Sequence, residues 1–264
     1  MLSGMTGWGQ TGSGIAERFL TEAGLLPLSG DVCTANLHPA GPAALQEFSI
    51  GVQSEKFAWP DAPLHLRTAA LLPARSGHFS FHVQYSGLGT YTALQAGLGY
   101  ARSLASWCDI GVRFSYNASG IQGYGRVSSI PVDFGVVFRL NDKLRSDVAC
   151  WNLFGAKQKY SEPYAIPRQV RSGLAYQLSD AAGLAFSAHL EEGSPLYGQV
   201  SVFYRFHSRM STLIAYSTAY HGIFLFVYYK NQGLRISLGF GYLHPLGALG
   251  VPGIQYTTLH TDDL

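Results

Sequence analysis

Nine histidines, three cysteines and sixteen acidic residues are the groups of this 264-residue chain that could hold a metal or move a proton. His78 and His82 fall on one face of an extended run. Four residues at about 3.4 Å each separate them by about 14 Å, too far to share an ion. They read as polar residues facing an interior. Cys33, Cys108 and Cys150 are odd in number and lack Cys-x-x-Cys spacing, so they form neither a disulfide framework nor a zinc site and read as small buried residues. The Gly-x-Gly pairs 87/89, 97/99, 123/125 and 239/241 lack the third glycine and the helix of a dinucleotide site; their alternate spacing instead leaves room for a plug or a neighbouring strand. No Gly-x-Ser-x-Gly elbow occurs. A hydrolase built on strands can dispense with one, with His82 or His189 as base, but no nucleophile follows from the pattern. We expect no catalytic residue, no metal and no cofactor.

The elements that carry these residues are set by an unusual charge content. Asp, Glu, Lys and Arg make up 13% of the chain, against about 25% in an ordinary soluble domain. A hydrophobic fraction of 47% with 13% aromatics excludes a disordered chain. The net charge of +2, without a basic stripe, gives no reason to expect nucleic acid as partner. The longest apolar run, Gly222 to Tyr229, is too short for a spanning helix, which needs about 20 residues.

Alternation with period two dominates instead. Phe79, Phe81, Val83 and Tyr85 oppose His78, Ser80, His82 and Gln84; Ile110, Val112, Phe114 and Tyr116 oppose Asp109, Gly111, Arg113 and Ser115. In a soluble sandwich the polar face would carry many Lys and Glu. Here it carries Gly, Ser, Gln, His and Arg, which suits a crowded lumen, while the aliphatic face suits lipid. About fourteen strands follow, near 46–56, 63–73, 78–87, 90–102, 107–117, 127–139, 146–154, 168–178, 183–191, 196–206, 210–218, 222–230, 233–243 and 251–260. Short turns such as Asn231-Gln-Gly233 alternate with longer links, Ala118–Arg126 and Gly155–Pro167. The expected fold is an all-β transmembrane antiparallel barrel in the outer membrane, formed by residues 46–264. Residues 1–10 resemble the end of a secretory signal or form a mobile terminus. Residues 11–45 do not alternate but are apolar enough to pack, and a barrel offers them its lumen.

At Asp31-Val-Cys-Thr-Ala-Asn-Leu-His-Pro-Ala-Gly41 the sequence resembles the Asn-Pro-Ala-Gly signature of the FadL-like PorV/PorQ outer-membrane proteins of Bacteroidota, with His38 in the place of the usual Asn. Asn152-Leu-Phe-Gly155 with Ile166-Pro-Arg168, and Leu243-His-Pro-Leu-Gly247, resemble two later family segments. The resemblance implies a fourteen-stranded barrel with an N-terminal hatch in its lumen, Asn36, His38, Pro39, Ala40 and Gly41 forming the hatch motif. It also implies one of two roles: a non-enzymatic component of type IX secretion or surface attachment, recognising secretion proteins or secreted cargo, or a channel for hydrophobic small molecules.

Arg113, Asp133, Arg139, Arg205 and Arg235 fall at lumen positions, where they would bind a hatch carboxylate such as Asp31 or Glu17, or favour anions in an open pore. Phe224, Phe226 and Tyr228, on a strand apolar on both faces, would pack on the hatch or line an apolar conduit for a hydrophobic ligand.

Overall fold

In the computed structural model the alternating runs are strands whose large apolar residues point outward. The structure describes residues 25–123, 125–156, 166–219, 221–244 and 246–258. Expectations for residues 1–24, Glu17 and the signal-like segment among them, lie outside these. The strands are β1 (Ser49–Phe57), β2 (Leu64–Ala74), β3 (Gly77–Leu88), β4 (Tyr91–Ala105), β5 (Cys108–Ile121), β6 (Gly125–Ser129), β7 (Val132–Arg139) and β8 (Leu144–Trp151). They continue as β9 (Gln169–Ser179), β10 (Ala182–Glu191), β11 (Tyr197–His207), β12 (Met210–Ser217), β13 (Gly222–Asn231), β14 (Leu234–Leu243) and β15 (Gly247–Thr257).

Each strand pairs antiparallel with its neighbours, and β1 pairs with β15, from Ser49 opposite Thr257 to Phe57 opposite Leu249. Both β6 and β7 pair with β5. They are one strand broken at Ile130–Pro131, so the fifteen strands make a closed barrel of fourteen. Closure satisfies the backbone without water, which is the condition for crossing a membrane with strands. Proline at the break has no N–H to give the ladder, although its carbonyl still accepts from Ser115 N at 3.1 Å. Among the described residues β6 has a strand partner on one side only.

The two faces of the wall differ as parity requires. In β3, Phe79, Phe81, Val83 and Tyr85 are exposed while His78, Ser80, His82 and Gln84 are buried. Leaving such side chains in water would forgo roughly 1.5–3 kcal/mol each; lipid removes that penalty. Exposed Trp107, Tyr204 and Tyr229 lie near one rim and exposed Trp59, Tyr216 and Tyr242 near the other, as two aromatic girdles. The chain is a multi-pass β-barrel of the outer membrane.

One rim carries tight turns, such as Arg75–Ser76 and Gln232–Gly233; the other carries the longer links, including residues 58–63 and 192–196. Short turns mark the periplasmic rim. The expected link Ala118–Arg126 is mostly strand. β5 runs on to Ile121 and pairs with β6, Ser119 opposite Val127 and Gly120 opposite Arg126. Ladder hydrogen bonds hold small residues as well as large ones, and the weak apolar pattern there concealed the strand. The last strand likewise begins earlier than expected, at Gly247, with Leu249 and Val251 buried inward.

Before β1 the chain folds into two four-residue helices, α1 (Leu26–Ser29) and α2 (Val32–Ala35), and a 3-10 turn, Gly41–Ala44. Gly30 separates the helices at φ 59°, a conformation that disfavours other residues. Asp31 caps α2, accepting from Thr34 N at 3.0 Å. Pro42 is the second residue of the 3-10 turn, where a missing N–H costs nothing. Residues 31–43 are buried throughout and touch inward positions of several strands. Val32 N donates to Gln255 Oε1 of β15 at 2.9 Å, and Gln255 Nε2 donates to Gly30 O at 3.1 Å. A Cβ at Gly111 of β5 would overlap the Pro39 carbonyl and lie 2.8 Å from Ala40 Cα; at Gly135 of β7 it would lie 2.8 Å from His38 Cε1.

Candidate functional site

The inner wall is divided into an apolar and a polar side. On β13, Phe224 and Phe226 stack at 5.7 Å between centroids, and Phe226 and Tyr228 at 6.2 Å. Their cross-strand partners on β14 are Gly241, Gly239 and Ser237. A Cβ on Gly239 would lie 2.8 Å from Phe226 Cδ1, and one on Gly241 2.7 Å from Phe224 Cε1. That Gly-x-Gly pair makes room for the rings of the adjacent strand. Phe203, Leu213, Leu243, Leu249 and Val251 extend the surface, Phe57 reaches the loop rim, and Leu25 and Leu37 of the inner segment join it. Phe224, Phe226 and Tyr228 are buried in one apolar cluster that also holds Leu25 and Leu37 of the inner segment.

The polar side is organised about Arg113. Its Nε lies 2.8 Å and its Nη2 2.7 Å from Asp133 Oδ2, while Nη1 donates to the main-chain oxygen of Asn36. Asp133 Oδ1 accepts from Asn152 N at 2.9 Å. The Asn152 side chain closes the link after β8, donating to Ile166 O at 2.8 Å and accepting from Ala156 N at 2.7 Å. Asn152 has φ 54°, where asparagine is better tolerated than bulkier residues. Of the hatch motif, Asn36 therefore meets a wall arginine, and Pro39 and Ala40 press on Gly111. Gly41 opens the 3-10 turn. His38 Nδ1 accepts from Ala40 N at 3.1 Å, so the neutral ring carries its proton on Nε2, 3.6 Å from Asp147 Oδ1. Burial, with Arg171 and Arg113 nearby, holds the His38 pKa well below the ordinary histidine value. Arg171 Nη2 lies 3.4 Å from the same Asp147 oxygen.

Among the described residues the arginines form no ion pair with the Asp31 carboxylate, and Glu17 lies outside the described residues. Arg235 Nη1 donates to Ser29 O, Arg205 Nη2 to Leu28 O at 3.4 Å, and Arg113 to Asn36 O. Asp31 is occupied as a helix cap. The physical reason is that four-residue helices leave their carbonyls without intrahelical partners, and guanidinium groups satisfy them. Arg139 stands apart at the turn rim, paired with Asp109 and donating to Ser106 O at 2.8 Å. Asp147, Arg171 and Asn152 were missing from the expected site. For the first two the available signal was a charge at inward parity within a spanning strand.

Ser187 Oγ lies 2.9 Å from His189 Nε2, so a nucleophile does stand beside one expected base. Both residues are buried on β10, whose main chain pairs with β9 and β11. Main-chain N–H groups spent in two ladders cannot stabilise an oxyanion. No group of three His, Cys, Asp or Glu residues suited to a metal occurs among the described residues.

No protein-family model matches the sequence, and no curated protein matches it. Solved structures do match. The Ralstonia pickettii toluene transporter TbuX superposes with a TM-score of 0.65 at 10% identity, over 87% of this chain and 94% of that one. The chain has a FadL-like fold. The CymD monoaromatic hydrocarbon channel gives 0.62 at 11% identity over 87% and 93% of the two chains, and a Pseudomonas aeruginosa FadL homologue 0.59 at 10% over 86% and 91%. TbuX is named as a toluene transporter and CymD as a monoaromatic hydrocarbon channel, and the likeness covers most of this chain.

Proposed function

We propose that this FadL-like barrel is a channel for small hydrophobic molecules. The observation that carries the reading is the stacked Phe224–Phe226–Tyr228 surface, continuous with Leu249 and Phe57 at the loop rim and with Leu25 and Leu37 of the inner segment. These side chains are buried, so an apolar solute entering at the loop rim would reach the aromatic wall by displacing what covers it, and residues 25–48 would act as the hatch. The break at Ile130–Pro131 beside β6 supplies an interruption of the wall near that segment, tied to it through Asp133 and Arg113. The superposed TbuX and CymD, a toluene transporter and a monoaromatic hydrocarbon channel, support the solute class. In a Gram-negative host lacking its own hydrocarbon channel, expression should raise uptake of labelled toluene above the empty-vector level, and Phe226→Asp should abolish the gain. Uptake equal to the empty vector from a correctly folded barrel would refute the reading.

A second reading, the PorV/PorQ type, draws on a different observation. Asn36 and Asn152, from two segments that carry that resemblance, sit at opposite ends of one buried network, which would hold the loop rim in a fixed shape for secretion proteins or cargo. Cross-linking in native membranes should then recover a secretion or surface-attachment partner. Recovery of the barrel alone would set this reading aside.

A further inference from the structure

Arg139 and Arg145 stand directly opposite each other in the β7–β8 ladder, at the turn-side mouth of the barrel. Like charges in register repel, and a sheet normally avoids them. Arg139 is paired with Asp109, whose other oxygen accepts from Ser103 Oγ at 2.5 Å, so each oxygen of that carboxylate already has a partner. The Arg145 side chain makes no hydrogen bond or close ion pair among the described residues, and the acidic group acting on it is the same Asp109 that is already paired with Arg139. Two arginines and one aspartate leave one positive charge over. It borders a cavity of about 190 Å³ between the wall and the 3-10 turn, lined by Asp109, Arg139, Arg145, Gln46 and the small residues Gly41 and Ala43. Small side chains in that turn leave the cavity unfilled.

We propose that this cavity binds a small oxyanion, the carboxylate or phosphate group of a solute at the periplasmic mouth, with Arg145 as its principal ligand. A planar guanidinium matches two oxygens of such a group at once, which a spherical anion cannot use. On the same rim exposed Arg75, Arg102, Lys143, Arg209 and Lys230 outnumber exposed Asp142 and Asp180, and this excess of positive charge raises the local concentration of anions. The wall residues of the cavity sit at inward positions, level with Gly111 and Asp147, so it opens to the lumen mouth and not to lipid. The site does not depend on which solute the apolar wall conducts.

The test uses the full-length barrel in a non-ionic detergent, its thermal midpoint followed against sodium phosphate and sodium acetate, with chloride at matched ionic strength as reference. A saturable rise with phosphate or acetate beyond that with chloride is expected. Arg145→Gln should weaken the response about tenfold or more, while raising the midpoint in chloride because the opposed charge is gone. Arg145→Lys should fall between, and Arg102→Gln, exposed on the same rim, should titrate like the parent. Heat-modifiable migration identifies folded variants; if Arg145→Gln does not fold, the parent titration and Arg145→Lys decide. No oxyanion-dependent rise, or an equal response from Arg145→Gln, would overturn the site. So would stabilisation that appears only in nanodiscs with phosphatidylglycerol, which would place the anion on a lipid headgroup.

Discussion

Arg113 and Asp133 are cross-strand partners in the β5–β7 ladder, with two guanidinium nitrogens within 2.8 Å of one carboxylate oxygen. What each does with its remaining atoms gives the pair its reach. Arg113 holds the main chain of Asn36 in the inner segment, and Asp133 holds the main chain of Asn152 at the loop rim. Asp133 lies two residues beyond Pro131, so segments far apart in sequence meet beside the break in the wall.

A buried ion pair is most costly to break from one side. Arg113→Met, which strands Asp133, should lose about 3–5 kcal/mol. Arg113→Met combined with Asp133→Leu should regain most of that, because no charge is left buried. Urea unfolding in lipid vesicles, followed by tryptophan fluorescence, measures both; a double variant no more stable than the single one would show that the two residues do not act as a pair.

The docking of the inner segment against β5 depends on Gly111, where an added Cβ meets main chain and not a flexible side chain. Gly111→Val should therefore lift the Pro39–Ala40 turn. Cys33 reports the change. It is buried, and burial together with the negative charge of Asp31 pushes its thiol pKa well above the ordinary value, so the reactive thiolate is scarce. In a Cys108→Ala, Cys150→Ala background, maleimide labelling of Cys33 should be slow and should accelerate about tenfold for each ~1.4 kcal/mol of lost docking. Labelling unchanged by Gly111→Val would mean that the segment is held elsewhere.

His38 predicts a pH dependence of definite sign. Its folded pKa lies well below the unfolded value, so below about pH 6.5 the unfolded chain takes up a proton that the folded chain refuses. Stability falls as pH drops through that window, by up to about 1.4 kcal/mol per unit. His38→Asn removes the term. The stability of His38→Asn relative to the parent should therefore rise between pH 7 and pH 5, whereas a constant difference would show that His38 takes up the proton in the fold.

The ring of Phe226 occupies the space above Gly239. Gly239→Ala should destabilise the parent by displacing that ring, and should cost much less when Phe226 is already Ala. A coupling of about 1–3 kcal/mol is expected from the double-mutant cycle. Additive effects would separate the two residues.

Period-two parity made the faces of the wall legible in the sequence. It assigned Phe79 and Tyr85 to the outside, and Arg113, Asp133 and Arg235 to the inside, because side-chain direction along a strand is a local property and lipid imposes the same demand on every strand. Strand limits followed wherever large apolar residues marked them, and were misjudged after Ala118, where Gly and Ser carry the ladder. What faces what could not be read in this way. The opposition of Arg139 and Arg145, the meeting of Asp133 with Asn152 and the pairing of Phe226 with Gly239 depend on register, which turn lengths and barrel closure set for the whole sheet at once. The partners of the inner segment needed a further step. Only after α1 and α2 have formed do their carbonyls stand without partners, and only closure of the barrel brings the guanidinium groups of three separate strands to them.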